Sequence, residues 1–220
     1  INLEKNRWHR EECLDNRTIL VRSEQGLGDT IQFCKYVKLL KSNTTKVVLE
    51  VQDCLVDLIK SLDNEIVVVK RSTNFTRFDF QVPLMSLPFE FETKEGNFPS
   101  NISYLSVNKE RTKYWKSKVD DRNFNIGIAW QGSTGLIDQG RSFPLNKFKN
   151  ISKLNNIKLF NLQKNEGYEQ ILENQDIDLI SFGENLDKGD QAFLDTVALI
   201  KSLDLVICSD TSIAHLAGSV

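Results

Sequence analysis

Short runs of apolar, mostly β-branched residues alternate with helix-like segments along most of this chain. From Thr18 onward, runs such as TILVRSE and KVVLEV are each followed by a segment whose apolar residues recur every three or four positions. Unbroken apolar strands of this kind are typical of parallel sheets that helices cover on both faces. The alternation therefore predicts an α/β fold.

The alternation forms two successive series. The first ends at the polar helix KERTKYWKSKV, and the second restarts after Asp120 with the strand NIGIAW. We therefore predict two Rossmann-like domains, residues 18–120 and residues 121–220, after a polar lead-in over residues 1–17. The prolines in and around Met85–Pro99 predict a loop there.

Residue types also predict local features of the helices. After the first strand, the segment Asp29–Ser42 is predicted to be a helix with one apolar face, formed by Ile31, Cys34, Val37 and Leu40. Asp53 is a suitable N-cap for the helix that follows the second strand. Pro144 suits the first turn of a helix in the second series.

Composition and charge exclude several classes of protein. The formal net charge is −2 and charged residues make up 26% of the chain, so nothing indicates nucleic acid or an anionic membrane as a partner. No apolar run approaches the ~18 residues of a membrane span, and no N-terminal stretch has the pattern of a signal peptide. The four cysteines are scattered, without a C-x-x-C spacing, which fits a reducing, cytoplasmic location.

The ends of the chain indicate a piece of a longer protein. The sequence begins at Ile1, its single methionine is Met85, and it stops within the helix-like run SIAHLAGSV. We therefore expect a processed chain or an excised segment.

One acidic pair, Asp176 and Asp178, has a spacing that metal-dependent enzymes use. The pair precedes a predicted strand, whereas ligands of open α/β sheets bind at the carboxyl ends of strands. Because no other cluster has metal-ligand spacing, we predict no metal site.

The segment QGLGD, from Gln25 to Asp29, lies where the first predicted strand turns into a helix. It is not a dinucleotide fingerprint, since Ile31 stands where the third glycine belongs, and no G-K-[ST] of a P-loop follows. Two interpretations remain open. Asp29 is either the N-cap after a tight turn or a carboxylate at the mouth of a cleft, available as a general base.

A second candidate lies at the junction of the last predicted strand and helix. Asp210, Thr211 and Ser212 come directly at this junction, where free backbone amides and the helix dipole favour a phosphate. His215 follows four residues after Thr211, on the same side of the helix. The alternative is a helix capped by a hydroxyl side chain, with a packed histidine.

Two further strand ends carry polar residues in the second series. The loop after NIGIAW is rich in glycine and contains Ser133, and Arg141 closes it near the next helix. Such a loop suits an anionic ligand, although an ordinary connecting loop is the alternative. Lys164 lies at the end of the strand FNLQK. It is either a contact for a ligand or a solvated lysine.

Taken together, the blocks EQGLGDTIQFCKYVKLLK, IGIAWQGS, RSFPL and DLVICSDTSIAHLAGS resemble the heptosyltransferase-like glycosyltransferases of family nine. The branch most similar is the one found C-terminal to tetratricopeptide repeats in bacteria, and the resemblance extends from Thr18 to Val220. It implies a GT-B architecture, in which two Rossmann-like domains face each other across a cleft. The second domain would here be truncated at its C-terminus.

The resemblance also implies an activity and its participants. The protein would transfer a sugar from a nucleotide-diphosphate sugar to an acceptor hydroxyl, with inversion, and would use no metal and no cofactor. The acceptor would be a saccharide or a protein, and an upstream repeat domain would be a partner in cis. A sugar-nucleotide epimerase and a non-catalytic nucleotide-sugar binding module remain as alternatives. The epimerase would need acid–base residues on both sides of the sugar, and only Asp29 is an obvious candidate.

The resemblance assigns roles to the candidate residues. Asp29 matches the proposed catalytic aspartate, and the acceptor-side loop comprises Gln25, Gly26 and Gly28. The residues assigned to the donor and its diphosphate are Ser133, Arg141, Lys164, Asp210, Thr211, Ser212 and His215.

Overall fold

The predicted apolar runs form two four-stranded parallel sheets in a computed structural model, which describes residues 6–42, 44–99, 103–134, 140–189 and 192–220. The described chain divides into two compact units. The first unit extends to Ser106 and includes Ala192, Ser219 and Val220, and the second comprises Val107–Gly189 and Phe193–Gly218. The predicted α/β class with two parallel sheets is confirmed.

The sheet of the first unit has the order β3-β2-β1-β4, and all neighbouring strands are parallel. Its strands are β1 Thr18–Arg22, β2 Lys46–Val51, β3 Val67–Lys70 and β4 Phe80–Pro83. The two central strands, β1 and β2, are almost wholly buried. They lack polar alternation because both of their faces are covered.

The connections of the first unit contain short helices. These are α1 Leu27–Phe33, α2 Val56–Ile59 and α3 Leu87–Glu90, with 3₁₀ turns at Cys34–Leu40, Asp53–Leu55, Arg71–Thr73 and Leu84–Ser86. The predicted apolar face of the first helix is buried throughout, at Ile31, Cys34, Val37 and Leu40. Its second half is a 3₁₀ turn rather than a continuation of the α-helix.

Two local predictions for the first unit are wrong. The N-cap before the 3₁₀ turn at Asp53–Leu55 is Gln52, because the Asp53 carboxylate instead accepts hydrogen bonds from the Ser72 amide and hydroxyl. The stretch Met85–Pro99 is not wholly a loop, since it contains α3. Pro88 lies in the first turn of α3, where proline removes no helical hydrogen bond.

From Asn6 onward, the polar N-terminal segment adds to the edge of the first sheet. Its backbone pairs with β4 through hydrogen bonds from the Trp8 amide to the Gln81 carbonyl and from the Gln81 amide to the Asn6 carbonyl, both 2.8 Å. The Trp8 side chain is only 3% exposed. This segment therefore packs as part of the first unit.

The second unit repeats the strand order of the first. Its sheet has the order β7-β6-β5-β8, again wholly parallel, with β5 Phe124–Ala129, β6 Ile157–Asn161, β7 Leu179–Ile180 and β8 Leu205–Cys208. Its helices are α4 Lys109–Lys116, α5 Lys149–Ser152, α6 Gln170–Glu173, α7 Leu194–Ile200 and α8 Ser212–Ala217, with 3₁₀ turns at Leu145–Phe148 and Gly183–Asn185. Pro144 is the N-cap of the first of these 3₁₀ turns and does not lie within it.

The core of the second unit includes apolar side chains from β5, β6, the 3₁₀ turn after Pro144 and the segments directly after β5 and before β7. They are Ile126, Ile128, Trp130, Leu145, Phe148, Leu159 and Ile177. No helix among the described residues is long and apolar enough to cross a membrane.

The central strand β5 packs so closely at Gly127 that a side chain there would force neighbouring leucines to shift. A Cβ on Gly127 would lie 2.6 Å from Leu162 Cδ1 and 2.7 Å from Leu203 Cδ1. We expect Gly127→Ala to lower the free energy of unfolding by about 1–3 kcal/mol, the usual cost of overpacking, as measured by urea unfolding. Gly218→Ala is the control, because its Cβ would meet nothing closer than 3.6 Å. Equal stability of the two variants would contradict this account.

Candidate functional site

The shared strand order predicts where each unit binds a ligand. In each sheet the first three strands are added successively toward one edge, and the fourth strand is then added on the other side of the first. The strand order therefore reverses between β1 and β4 in the first unit and between β5 and β8 in the second. Open α/β sheets bind ligands at the carboxyl ends of the strands beside such a reversal. The segments QGLGD, QGS and SDTS follow β1, β5 and β8. The sequence candidates therefore lie at the favoured positions of their own units.

Asp29 lies in the first turn of α1 but is not its N-cap. Gly26 is the N-cap, and Asp29 Oδ2 accepts a hydrogen bond of 3.0 Å from the Gly26 amide. The Asp29 side chain is half-buried, and Oδ1 makes no hydrogen bond to any described residue. The N-cap interpretation is therefore wrong. One carboxylate oxygen stabilises the start of the helix, and the other is available to a ligand.

The loop that carries Asp29 is held to the end of β2 by Gln52. The Gln52 amide group donates to the Gln25 carbonyl at 2.8 Å and accepts from the Thr30 hydroxyl at 2.9 Å. Sequence reasoning missed Gln52. Its position directly after a buried strand is the signal that would have found it.

Glu24 holds the same loop to the end of β4. Its two carboxylate oxygens accept hydrogen bonds from the Leu84 and Met85 amides, each 3.1 Å long. Burial raises the pKa of Glu24, and the charge of Asp29 raises it further, against the lowering effect of the backbone hydrogen bonds. Both oxygens of Glu24 thus hold this loop to the residues directly after β4.

In the second unit, Arg141 joins the ends of two strands. Its guanidinium donates to the Ser133 carbonyl, after β5, and to the Asp210 carbonyl, after β8, both at 3.3 Å. The group lies against Gly132, where a Cβ would come within 2.7 Å of Nη2. Glycine at this position therefore lets the cation lie flat on the loop. Three predicted residues, Ser133, Arg141 and Asp210, are thus brought together.

The junction of β8 and α8 contains hydroxyl groups that have no hydrogen-bond partner among the described residues. Thr211 is the N-cap of α8 and Ser212 its first residue, but no side chain caps the helix. The buried hydroxyl oxygens of Thr211 and of Ser209, just before Asp210, make no hydrogen bond within the described part of the chain. The capped-helix interpretation is therefore wrong. Buried hydroxyls of this kind are expected to meet a ligand or water.

His215 lies in the last turn of α8 and is half-buried. It makes no hydrogen bond or ion pair with the residues that the structure describes. The structure therefore leaves its ring nitrogens available for a ligand.

Lys164 follows β6, the strand next to β5. Its ammonium donates to the Asp187 carbonyl at 3.0 Å. The preceding residue, Gln163, is buried and joins two loops, because its side chain accepts from the Trp130 and Gln131 amides and donates to the Glu166 carbonyl. The strand end FNLQK includes Gln163, but sequence reasoning assigned it no role.

The carboxyl edge of the second sheet therefore combines several anion-binding elements. Two cations, Arg141 and Lys164, lie in loops at this edge, and the amides of α8 begin directly after Thr211. Arginine binds phosphate in a planar, directional way, and lysine binds it as a point charge. Asp210 is exposed and would repel a phosphate. The Asp210 carboxylate is therefore better suited to accept hydrogen bonds from hydroxyl groups of a ligand.

No protein-family model matches this chain, and no curated protein matches it either. Solved structures do resemble it in fold. A glycosyl transferase of family 9 from Veillonella parvula has a TM-score of 0.67 at 14% identity, over 96% of this chain and 80% of its own. The E. coli ADP-heptose lipopolysaccharide heptosyltransferase II has a TM-score of 0.63 at 10% identity, over 92% and 82%.

A third similar structure is the iron-containing dodecameric glycosyltransferase TibC from enterotoxigenic E. coli. Its TM-score is 0.63 at 12% identity, over 94% of this chain. TibC is also described as a heptosyltransferase in complex with ADP-D-β-D-heptose. The present chain spans only 57% of the length of TibC.

The iron of TibC overturns the expectation that the chain uses no metal and no cofactor. A structure with this fold is described as iron-containing, so the resemblance does not imply a metal-free protein. Within the described residues, no group of three or more histidine, cysteine, aspartate or glutamate side chains could hold a metal ion. Asp176 and Asp178 pair separately with Lys149 and Lys158. We therefore assign no metal ligands and derive no step through iron.

The structural comparisons and the topology agree. Heptosyltransferases and a family 9 glycosyl transferase are among the structures that share this fold, and both sheets of this chain are parallel with the same strand order. The chain therefore has the GT-B-like α/β fold of these glycosyltransferases.

Proposed function

We propose that this chain is the sugar-transferring part of a glycosyltransferase that uses a nucleoside-diphosphate sugar. The observation that carries the proposal is the placement of Arg141, whose guanidinium is held at the carboxyl ends of β5 and β8. A cation bonded to Asp210 suits a diphosphate, because the start of α8 and the Thr211 hydroxyl, which has no partner in the described part of the chain, follow directly. The ADP-heptose bound by TibC is consistent with this class of ligand.

The donor side of the proposed reaction is the second unit. When the bond between the sugar carbon and the diphosphate breaks, negative charge develops on the leaving group. Arg141, Lys164 and the amides of α8 would stabilise this charge. Ser133, Thr211 and Ser212 would add hydrogen bonds, and Asp210 and His215 would contact the sugar.

The acceptor side of the proposed reaction is the first unit. Asp29 would take the proton of an acceptor hydroxyl while the hydroxyl oxygen attacks the sugar carbon. Attack from the side opposite the departing diphosphate would invert the configuration of that carbon. The free Oδ1 suits this role. The loop of Gln25, Gly26 and Gly28 would border the acceptor.

The remaining parts of the proposal concern organisation. We assign the acceptor side to the sheet of the first unit, within residues 18–120, and the donor side to the sheet of the second unit, within residues 121–220, after a lead-in over residues 1–17. An upstream tetratricopeptide-repeat domain would recruit the acceptor, a saccharide or a protein. A cytoplasmic location fits the four free cysteines.

Nucleoside-diphosphate binding tests the proposal directly. Thermal unfolding of the full chain is measured with ADP, UDP or GDP and with the corresponding nucleoside. We expect at least one diphosphate to stabilise the protein, by about 2.7 kcal/mol at 100 times its Kd, and the nucleoside to stabilise it far less. Stabilisation by none of the three would contradict the proposal. Binding without release of nucleoside diphosphate from any nucleotide sugar would instead indicate a binding module.

Arg141→Met should weaken binding of that nucleoside diphosphate about 10- to 100-fold, because a hydrogen bond to a charged group contributes about 1.5–3 kcal/mol. Isothermal titration calorimetry measures this effect. Arg122→Met is the matched control, since Arg122 pairs with Asp120 on the surface of the same unit. Equal affinities of the two variants would remove Arg141 from the site.

A further inference from the structure

The exposed Lys164 side chain is bonded to a backbone group of Asp187. The Lys164 ammonium donates to the Asp187 carbonyl at 3.0 Å. Asp187 has a φ of 51°, in the left-handed region that aspartate adopts more readily than most residues but still rarely. This conformation places the carbonyl that Lys164 contacts.

The Asp187 side chain substitutes for a missing helix cap. The N-cap of α7 is Phe193, which has no capping side chain. The Asp187 carboxylate, which is buried, accepts from the amides of Asp195, at 2.6 Å, and Thr196, at 3.3 Å, and from the Thr196 hydroxyl. These are groups of the first turn of α7, which an N-cap residue normally binds.

Asp195 holds Asp187 from the other side. Its carboxylate accepts from the Asp187 amide at 2.9 Å and also from Arg111 and Trp115 of α4. The turn at Asp187 is thus bonded through its amide, its carboxylate and its carbonyl. Burial raises the pKa of Asp187, and the hydrogen bonds from Thr196 and Asp195 oppose this effect.

We infer that Asp187 is a positioning residue, which fixes the carbonyl that holds the Lys164 ammonium for the donor diphosphate. This inference rests on the proposed function. A free lysine side chain samples many rotamers, and a ligand that orders it loses affinity. The Asp187 carbonyl orders the Lys164 side chain before a ligand binds and accepts a hydrogen bond from one of the three ammonium protons. Two protons are left for phosphate oxygens.

A double-mutant cycle separates this role from a purely structural one. The full chain and the variants Asp187→Ala, Lys164→Met and the double variant are titrated with whichever of ADP, UDP and GDP stabilises the protein most. We expect Asp187→Ala to weaken binding about three- to tenfold when Lys164 is present and to have no effect in the Lys164→Met background. Binding of the corresponding nucleoside should not change.

Conservative and control variants sharpen the test. Asp187→Asn should bind like the wild type, because asparagine tolerates the left-handed conformation and its side-chain oxygen can still accept from α7. Asp178→Ala should have no effect, since Asp178 pairs with Lys158 on the surface. If Asp187→Ala does not fold, Thr196→Val replaces it in the cycle, because it removes only the hydroxyl bond to Asp187.

The outcomes are distinct. A loss of affinity that is the same with and without Lys164, or no loss while Lys164→Met weakens binding, overturns the inference and leaves the proposed function standing. If the wild type binds none of the three diphosphates, the proposed function fails, and the inference fails with it.

Discussion

Replacement of Asp29 by asparagine should lower the rate of sugar transfer by about two to four orders of magnitude, the usual contribution of a general base. Asparagine retains an oxygen that can accept the hydrogen bond from the Gly26 amide, so the start of α1 should be preserved. It cannot take the proton of an acceptor hydroxyl. The defect should therefore appear in the chemical step and leave nucleoside-diphosphate binding unchanged.

The measurement is release of nucleoside diphosphate from a panel of nucleotide sugars, with the full-length protein and its acceptor. Asp57→Asn is the matched control, because Asp57 lies in α2 of the same unit and pairs with the exposed Lys60. Transfer by Asp29→Asn at the rate of the wild type would exclude Asp29 as the base. Loss of diphosphate binding in that variant would instead show that Asp29 contacts the donor.

The second large effect concerns a buried ion pair in the first sheet. Arg22 of β1 donates to both carboxylate oxygens of Glu50 of β2, at 2.8 and 2.9 Å, and to the Gln81 side chain at 2.9 Å. Arg22 and Glu50 are 5% and 2% exposed. Glu50→Gln leaves the guanidinium buried without a counter-charge, and we expect it to lower the free energy of unfolding by about 3–5 kcal/mol.

Replacing both partners should behave differently. Arg22→Met combined with Glu50→Leu removes both charges and retains much of the buried volume, so most of the stability should return. Urea unfolding followed by circular dichroism compares the variants. Asp178→Asn, which breaks the surface pair with Lys158, should cost less than about 1 kcal/mol. A similarly small cost for Glu50→Gln would show that the buried pair contributes little.

The same pair bears on the candidate site. Arg22 is the last residue of β1, and the loop that carries Asp29 begins directly after it. Glu50 lies opposite Arg22 in the parallel register. The ion pair therefore fixes the register of β1 and β2 at their carboxyl ends, close to the hydrogen bond between Gln52 and Gln25. A weakened pair should loosen this loop before it disturbs the rest of the unit.

Much of the fold followed from the pattern of apolar residues. Runs such as TILVR and KVVLEV are buried on both faces, and a parallel sheet between helices is what such runs require. The ends of these runs also predicted where polar residues would cluster, since parallel strands bring their carboxyl ends to one edge. Arg141, Ser133 and Asp210 come together for this reason.

The sequence by itself thus determined the class of fold, the two series of strands and the strand ends at which a ligand is expected. The tertiary structure alone decided which groups are engaged: Asp29 bonds to Gly26 as the third helical residue, Asp53 binds Ser72, and Asp187 caps α7 and holds Lys164. The physical reason is the separation along the chain of the residues that interact. Burial patterns repeat locally along the chain, whereas Glu24 meets Leu84 and Gln163 meets Trp130 only because the sheet brings distant loops to the same edge.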